Sequence, residues 1–523
     1  MQKRLFIFRF SIKAMLLLSL FFLSACHKAE IDPPSVSTAQ KSLSYALTPT
    51  WLHSFHSPVS LQKHTALYSL ENGVDALSAR LYLIDHATHT IDVQYYIYKD
   101  DLTANEFSYR LLKAAERGVK VRILIDDLDT TGKDKGVAMM ASHPNIDIKL
   151  FNPNHFRSFF RTLALLLNNQ KLGKRMHNKT FIVDGKAVIM GGRNIGDEYF
   201  EANTKIAFLD YDILALGNVV PQASTQFDLY WFSSLSVAYT DVITLRGDQT
   251  LYNKMMSHLH HLHHHFQQTP LAQKIQQTPF MHVTKQHPLL FYPSQEATLY
   301  YDLPHKVVSD PNDRSTHLSR SIEKAIDTAK KSLIVISPYF IPSPKMMENI
   351  RKLRQHHVSV TVITNSLAST DVPLVYSGYK SYIRPLLEMG VKLYELKPSP
   401  KKRPTPTSLS LHTKMILIDN HQLIVGSANL DPRSDKLNTE VLMLIKKSPL
   451  IPLLKKKIHT ILNPDFFYQL TLIPRSPNST LKRIVWKSIE EGKTRYYRLS
   501  PNTGIGKRIG VDLFSLLPIE GYL

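Results

Sequence analysis

Two stretches of this chain set out the same side chains at the same intervals. His177-x-Lys179-x4-Asp184-x6-Gly191-x2-Asn194 returns as His412-x-Lys414-x4-Asp419-x6-Gly426-x2-Asn429. Chance should produce one such His-Lys-Asp spacing in roughly a few per cent of chains of this length. Two copies, each with the trailing Gly and Asn, are expected in well under about one in a million. A neutral imidazole is both a nucleophile and a proton carrier near neutral pH, and an ammonium group holds an anion. Two of each, presented alike by two parts of one chain, suit attack on a phosphodiester. The expectation is an enzyme.

Each motif reads as a β-hairpin. Met176 to Val183 alternates as a strand, Asp184-Gly185-Lys186 is turn-like, and Ala187 to Met190 is apolar and β-prone. A turn centred between Gly185 and Lys186 sets Asn194 opposite His177, and the same offset sets Asn429 opposite His412. Each hairpin is then expected to gather imidazole, ammonium and carboxamide at its open end. Asp184 and Asp419 lie seven residues from their histidines, roughly 23 Å along an extended strand at about 3.3 Å per residue. That is too far to orient those rings, so these two aspartates are read as structural, capping a turn or joining a salt bridge. Better orienting carboxylates open the next apolar runs: Glu440 in the second half and Asp212 in the first. A carboxylate on one ring nitrogen fixes the tautomer and leaves the other nitrogen free to attack.

Two histidines give a two-step route. One attacks phosphorus to form a phosphohistidine while the other protonates the leaving oxygen, and that second ring then deprotonates the acceptor alcohol or water. Lys179, Lys414, Asn194 and Asn429 hold the non-bridging oxygens. With that charge supplied by protein groups, no metal or other cofactor is expected, and the motifs lack the carboxylate cluster that magnesium prefers. Ordinary polar residues on an exposed hairpin would explain one copy far better than two.

Strands and helices alternate around these motifs. Thr90 to Tyr98, Val119 to Ile125 and Ile146 to Phe151 read as strands, with Ala104 to Arg117 helical. Ser332 to Ile341, Val358 to Thr364 and Val391 to Leu396 are their counterparts, with Lys345 to Gln355 helical. This is an α/β pattern of duplicated domains. The halves are placed at residues 66–265 and 301–468, joined by a linker at 266–300 and followed by a basic extension at 469–523. Six histidines fall among residues 258–265, without the regular spacing of a zinc site, and are read as a solvated run between the halves. Leu163 to Leu167, inside a basic stretch, suits either a membrane-dipping lid or a buried helix.

The chain has 523 residues and a formal charge of +21, with hydrophobic content of 43%. It is globular, long enough for two domains, and drawn to anionic partners such as phospholipid head groups, polyphosphates or nucleic acids. Residues 1–26 form a leader: Lys3, Arg4, Arg9 and Lys13 precede the apolar run Met15 to Leu23, which is too short to span a bilayer securely. It ends in Leu23-Ser24-Ala25-Cys26, which resembles the bacterial lipobox, and Cys26 is the chain's one cysteine. That resemblance implies lipidation at Cys26 and a tether over residues 27–65. It also implies attachment to the outer face of a bacterial cell membrane. His27 in place of an aspartate favours the outer membrane of a two-membrane cell.

The repeated motif, with its trailing Gly-[SG]-x-Asn, resembles the signature of the phospholipase D superfamily, over roughly residues 70–465. The resemblance implies two similar α/β domains, each a mixed sheet flanked by helices, that build one active site at their interface. Ser427 matches the serine of the family pattern, and the first copy carries Gly192 there. The run Gly191 to Phe200, the segment Tyr95-Tyr96-Ile97-Tyr98 and the ending Leu516-Leu517-Pro518-Ile519-Glu520 resemble the bacterial cardiolipin synthase C group. That similarity implies transfer of a phosphatidyl group to the glycerol hydroxyl of phosphatidylglycerol, with His177 as nucleophile and His412 as acid and base. Membrane phospholipids, with phosphatidylglycerol and phosphatidylethanolamine as candidate donors, and the membrane surface are the expected partners. An accessory protein stays an open partner, and nucleic acid is disfavoured. The competing readings are a phospholipase D that hydrolyses to phosphatidic acid, a nuclease, and a non-catalytic lipid-binding scaffold.

Overall fold

Apolar runs bounded by turn residues become the interior strands of two large sheets in the computed structural model. The model describes residues 49–130, 132–153, 173–203, 205–284, 286–315, 317–399, 407–476 and 479–515. The leader with Cys26, most of the tether, Leu163 to Leu167 and the 516–520 ending lie outside the described residues.

In the first half, strands Thr90–Tyr95, Lys120–Asp126 and Ile146–Phe151 run parallel. Strands Thr180–Val183, Ala187–Gly191, Asp212–Gly217 and Thr65–Leu70 continue the sheet antiparallel. The second half repeats this strand for strand. Ser332–Ile336, Ser359–Asn365 and Lys392–Leu396 are parallel, and Met415–Ile418, Gln422–Gly426, Val441–Lys446 and Glu296–Tyr301 are antiparallel. The parallel strands are connected through helices, among them Leu102–Glu116 and Pro344–Gln355, as parallel connections require. Side chains such as Val121, Ile123, Val360 and Val362 are buried, as expected for strands covered on both faces.

One apolar cluster belongs to the first half alone and another to the second. A third joins the halves, with Met176, Ile213 and Phe227 packed in the same body as Ile334, Val425, Val441 and Leu454. Two backbone pairings also cross between the halves. Strand Ser408–Leu411 pairs in parallel with Ile206–Leu209, and Met176 makes a parallel bridge with Thr439.

Three expectations are revised. Both hairpins are one residue out of the expected register: Val183 faces Ala187, Phe181 faces Ile189 and Met415 faces Val425. The loop holds three residues, with Asp184 at φ 52° and Gly185 at φ 59°. One residue of slip moves every side chain to the other face, and the ladder stops at Thr180 and Met190. Asn194 is therefore not opposite His177. Second, the histidine run, read as a solvated stretch between the halves, is helical and packs on the first half. It lies on helix Gln249–Gln267, where His263 stacks on Tyr109 at 4.3 Å and its Nδ1 meets Glu106 Oε2 at 2.7 Å. Third, residues 467–497 are no appendage. Strands Phe467–Pro474, Lys482–Glu490 and Lys493–Tyr497 extend the second sheet, and helix Ile505–Phe514 follows. Among the described residues no helix is long and apolar enough to cross a membrane.

Candidate active site

The cross-half pairings decide where each histidine sits. His177 N donates to Thr439 O at 2.9 Å, and Thr439 N donates to Arg175 O at 2.9 Å. The residue after Thr439 is Glu440, so this short parallel pairing sets the carboxylate beside the ring. His177 Nδ1 lies 3.0 and 2.9 Å from the two Glu440 oxygens. The other histidine is placed by the mirrored device. His412 N donates to Leu209 O at 2.8 Å, and the next residue, Asp210, brings Oδ2 to 2.6 Å from His412 Nδ1. Each imidazole is thus oriented by a carboxylate from the opposite half, and neither half can complete a site alone.

Packing fixes the rest of each ring. Tyr96 meets His177 edge-on at 5.0 Å. Phe208 stacks on His412 at 5.0 Å, and Tyr199 meets it edge-on at 5.3 Å. Lys179 Nζ donates to His177 O at 2.7 Å and Lys414 Nζ to His412 O at 2.6 Å. Both ammonium groups are thereby tied to the strand that carries their histidine. Glu440 is held in turn by Ser427 Oγ at 2.5 Å, Ser434 Oγ at 2.7 Å and, through its backbone N, Asp302 Oδ2 at 3.0 Å.

Burial dominates the electrostatics. It pushes the His177 imidazole down to about 4, with Glu440 opposing and Lys179 adding to the effect. Burial and then Lys414 hold His412 well below the usual histidine range. Both rings are neutral at neutral pH, with Nδ1–H directed at a carboxylate and Nε2 left with a lone pair. Burial also lowers Lys179 to about 7 and Lys414 to about 8. Burial opposes the ionisation of Glu440, but His177, Lys179 and Ser427 outweigh it and hold the carboxyl below its usual range. Both ammonium groups are buried away from the water that would solvate them, so further negative charge beside them is favoured. A phosphodiester is an anion of the right charge for that place.

The family described as "Cardiolipin synthase, PLD-like domain" matches residues 81–231 and 322–462, the two segments that carry the histidines and their carboxylates. The chain belongs to the phospholipase D-like cardiolipin synthase family. It is 34% identical over 474 residues to cardiolipin synthase C of Escherichia coli K12, covering 87% of this chain and 96% of that protein. It is also 26% identical over 452 residues to the major cardiolipin synthase of Bacillus subtilis 168, covering 84% and 77%. The crystal structure of phosphatidylserine synthase from Haemophilus influenzae Rd KW20 shares its fold, with a TM-score of 0.52 at 14% identity over 76% of this chain and 85% of the other. The cardiolipin synthase-like chain is a phosphatidyltransferase enzyme of the phospholipase D superfamily.

The motif aspartates hold the frame of each half. Asp184 gathers the backbone N–H groups of Thr88, His89 and Thr90 and the Trp51 indole. Asp419 gathers those of Lys330, Lys331 and Ser332. Each ties its hairpin loop to the start of the first parallel strand of its half, which is structural work. Asp212 does not orient His412. Its Oδ2 takes Arg80 at 2.9 Å and lies 3.5 Å from Arg193, and the carboxylate on the ring is Asp210. The two aspartates bracket Tyr211, and Asp212 is the one paired with Gly191 in the sheet. Because Leu442 is the residue paired with Gly426, the positional match to Glu440 lies two residues before Asp212.

Asn194 and Asn429 bond within their own halves. Asn194 accepts from Ile97 N at 3.2 Å and donates to Tyr199 OH at 2.8 Å, beside His412. Asn429 N donates to Ser434 Oγ at 3.2 Å, which leads to Glu440 and His177, and its Oδ1 has no hydrogen-bond partner among the described residues. Ser427 grips Glu440. The first copy lacks this hydroxyl because a Cβ at Gly192 would come within 2.2 Å of Asp210 Oδ1. Asp210, Tyr96, Tyr199, Phe208 and Ser434 were missed in sequence. Of these, Tyr96 and Tyr199 lie in segments singled out only for their family resemblance, and Asp210 had the signal of standing two residues from an aspartate already singled out.

Proposed function

We propose that the enzyme joins two phospholipids to make cardiolipin through a phosphatidyl-histidine. His177 Nε2 attacks the phosphorus of the donor, the bond to the head-group oxygen breaks, and His412 gives that oxygen its proton. His412 then takes the proton of a glycerol hydroxyl of phosphatidylglycerol. That oxygen bonds to phosphorus, and the bond to His177 breaks. Entry of the donor's negative charge between Lys179 and Lys414 raises both lysines and His412, so the acid proton is taken up with substrate. The lysines, with the amides of Asn194 and Asn429, stabilise charge on the non-bridging oxygens, and on this account the chemistry calls on no metal.

The observation that carries the reading is the exchange of carboxylates, Glu440 to His177 and Asp210 to His412. It makes one site from two halves, divided near residues 266–300, with one oriented imidazole for each task. Phosphatidylglycerol and phosphatidylethanolamine are the proposed donors, and a membrane surface reached through lipid on Cys26 is the proposed location. Mass spectrometry of products from phosphatidylglycerol, with and without phosphatidylethanolamine, tests it. Cardiolipin is expected, and phosphatidic acid alone would make the protein a hydrolase. Incorporation of labelled fatty acid, lost in Cys26→Ala, tests the anchor.

A further inference from the structure

The segment after the last strand ends in a helix whose apolar stripe faces water. In Ile505–Phe514, Ile505 is 72% exposed, Ile509 54% and Leu513 61%, with Phe514 at 46%. Positions i, i+4 and i+8 lie along one side of a helix, so three large aliphatic side chains form a continuous exposed row. Val511 is buried from the other side of the helix, and Lys380 on helix Pro373–Glu388 pairs with Asp512. The element is thus docked by one face and left apolar on the other. Gly506 and Gly510 each cost a free helix about 1 kcal/mol relative to Ala, so the helix depends on its surroundings. Leu499, just upstream, is 61% exposed beside exposed Arg498.

Two further observations say what the stripe meets. Between residues 475 and 515 there are nine Lys or Arg and three Asp or Glu, and Lys507 and Arg508 on the helix itself, with Arg498 just upstream, bring positive charge to the row, the pairing that favours an anionic bilayer over a neutral protein face. Through the Lys380–Asp512 pair the helix packs on Pro373–Glu388, which opens two residues after Asp371, the carboxylate whose charge acts on Lys507 and on His412 and Lys414.

We propose that helix Ile505–Phe514 is an interfacial docking element that inserts Ile505, Ile509 and Leu513 into the surface of a bilayer containing anionic phospholipid and so holds the enzyme where its substrate lies. This deepens the phosphatidyltransferase reading and rests on it for the substrate, though not for the docking itself. Docking on one lipid face lets a buried site draw both phospholipids from the membrane plane without moving them through water. Transfer of a large aliphatic side chain is worth about ten-fold or more in partitioning, so the row should dominate the contact.

The test uses the full chain with Cys26→Ser, so that a thiol introduced by Ile509→Cys is unique and carries an environment-sensitive fluorophore. With phosphatidylglycerol vesicles bearing a shallow nitroxide quencher, the emission should move to the blue and lose at least half its intensity. Phosphatidylcholine vesicles should give a much smaller change, and added salt should weaken the effect. No quenching on phosphatidylglycerol overturns the proposal. A blue shift that grows with protein concentration in the absence of vesicles also overturns it, since the row would then join two copies of the chain. In the unlabelled protein, Ile505→Ser/Ile509→Ser/Leu513→Ser should lower the ratio of vesicle to detergent-dispersed activity at least ten-fold with an unchanged melting midpoint, and a ratio within two-fold of the parent counts against docking. Quenching needs no turnover. If the label is quenched but no cardiolipin forms, the docking stands and the reaction assignment falls.

Discussion

Replacing Glu440 with Gln separates the orienting role of this carboxylate from mere occupancy of space. The side chain is buried and takes His177 Nδ1 at 2.9 Å, Ser427 Oγ at 2.5 Å and Ser434 Oγ at 2.7 Å. Gln keeps the shape but turns one acceptor into an NH2, so the donor on that side must turn away or, for a serine hydroxyl, accept instead. A hydrogen bond to a charged group contributes about 1.5–3 kcal/mol, which alone is about 10- to 100-fold in rate. The larger loss comes from the tautomer. Where an amide replaces the orienting carboxylate of a catalytic histidine in serine hydrolases, kcat falls about 10^4-fold. A loss of about 10^3-fold or more in kcat is therefore expected for Glu440→Gln, read as initial rates of product formation. Glu440 raises the His177 pKa against burial, so its removal should move the acid limb of the rate profile to lower pH. A rate within ten-fold of the parent, or an acid limb that moves upward, would refute the argument.

Four other outcomes follow from the site. Asp210→Asn should cost activity of the same order with little change in melting midpoint. Asp212→Asn leaves Arg80 and Arg193 buried without their anion and should destabilise by about 3–5 kcal/mol, seen as a lower melting midpoint. Gly192→Ser, although it restores the family's serine, should drive Asp210 off His412 because its Cβ would lie 2.2 Å from Oδ1. At least ten-fold lower kcat is expected, and full activity would show that Asp210 is dispensable. kcat/KM should hold down to about pH 5, where His177 (about 4) is still neutral, and fall above pH 7 to 8 as Lys179 (about 7) and Lys414 (about 8) lose their protons. A profile rising through pH 9 would contradict the phosphate-holding role.

The strands and helices of the repeat were legible because their apolar runs are bounded by turn residues and because each half vouches for the other. Ile146 to Phe151 was read to the residue. The register of the hairpins was not legible, since a three-residue loop with two left-handed positions looks like a two-residue one in letters. The pairing of histidine with carboxylate was half visible. Glu440 stood out as the charged residue opening an apolar strand, but two aspartates flank Tyr211, and only the approach of Arg80 assigns Asp212 to the core. Contacts such as Phe208 on His412 depend on a strand pairing between the halves, about 200 residues apart in the chain, which no local pattern encodes. The exposed row of helix Ile505–Phe514 looks in sequence like any core stripe, because periodicity does not say which side has a partner.

The most direct measurement is the stoichiometry and position of the covalent intermediate. The enzyme is mixed with a donor phospholipid and no acceptor, quenched in base to preserve the phosphorus–nitrogen bond, and mapped by mass spectrometry. One phosphatidyl group per chain on His177 is predicted, accumulating in His412→Ala and absent in His177→Ala. Two groups per chain, or a group on His412 that persists in His177→Ala, would mean that the halves act separately and that the shared site is wrong.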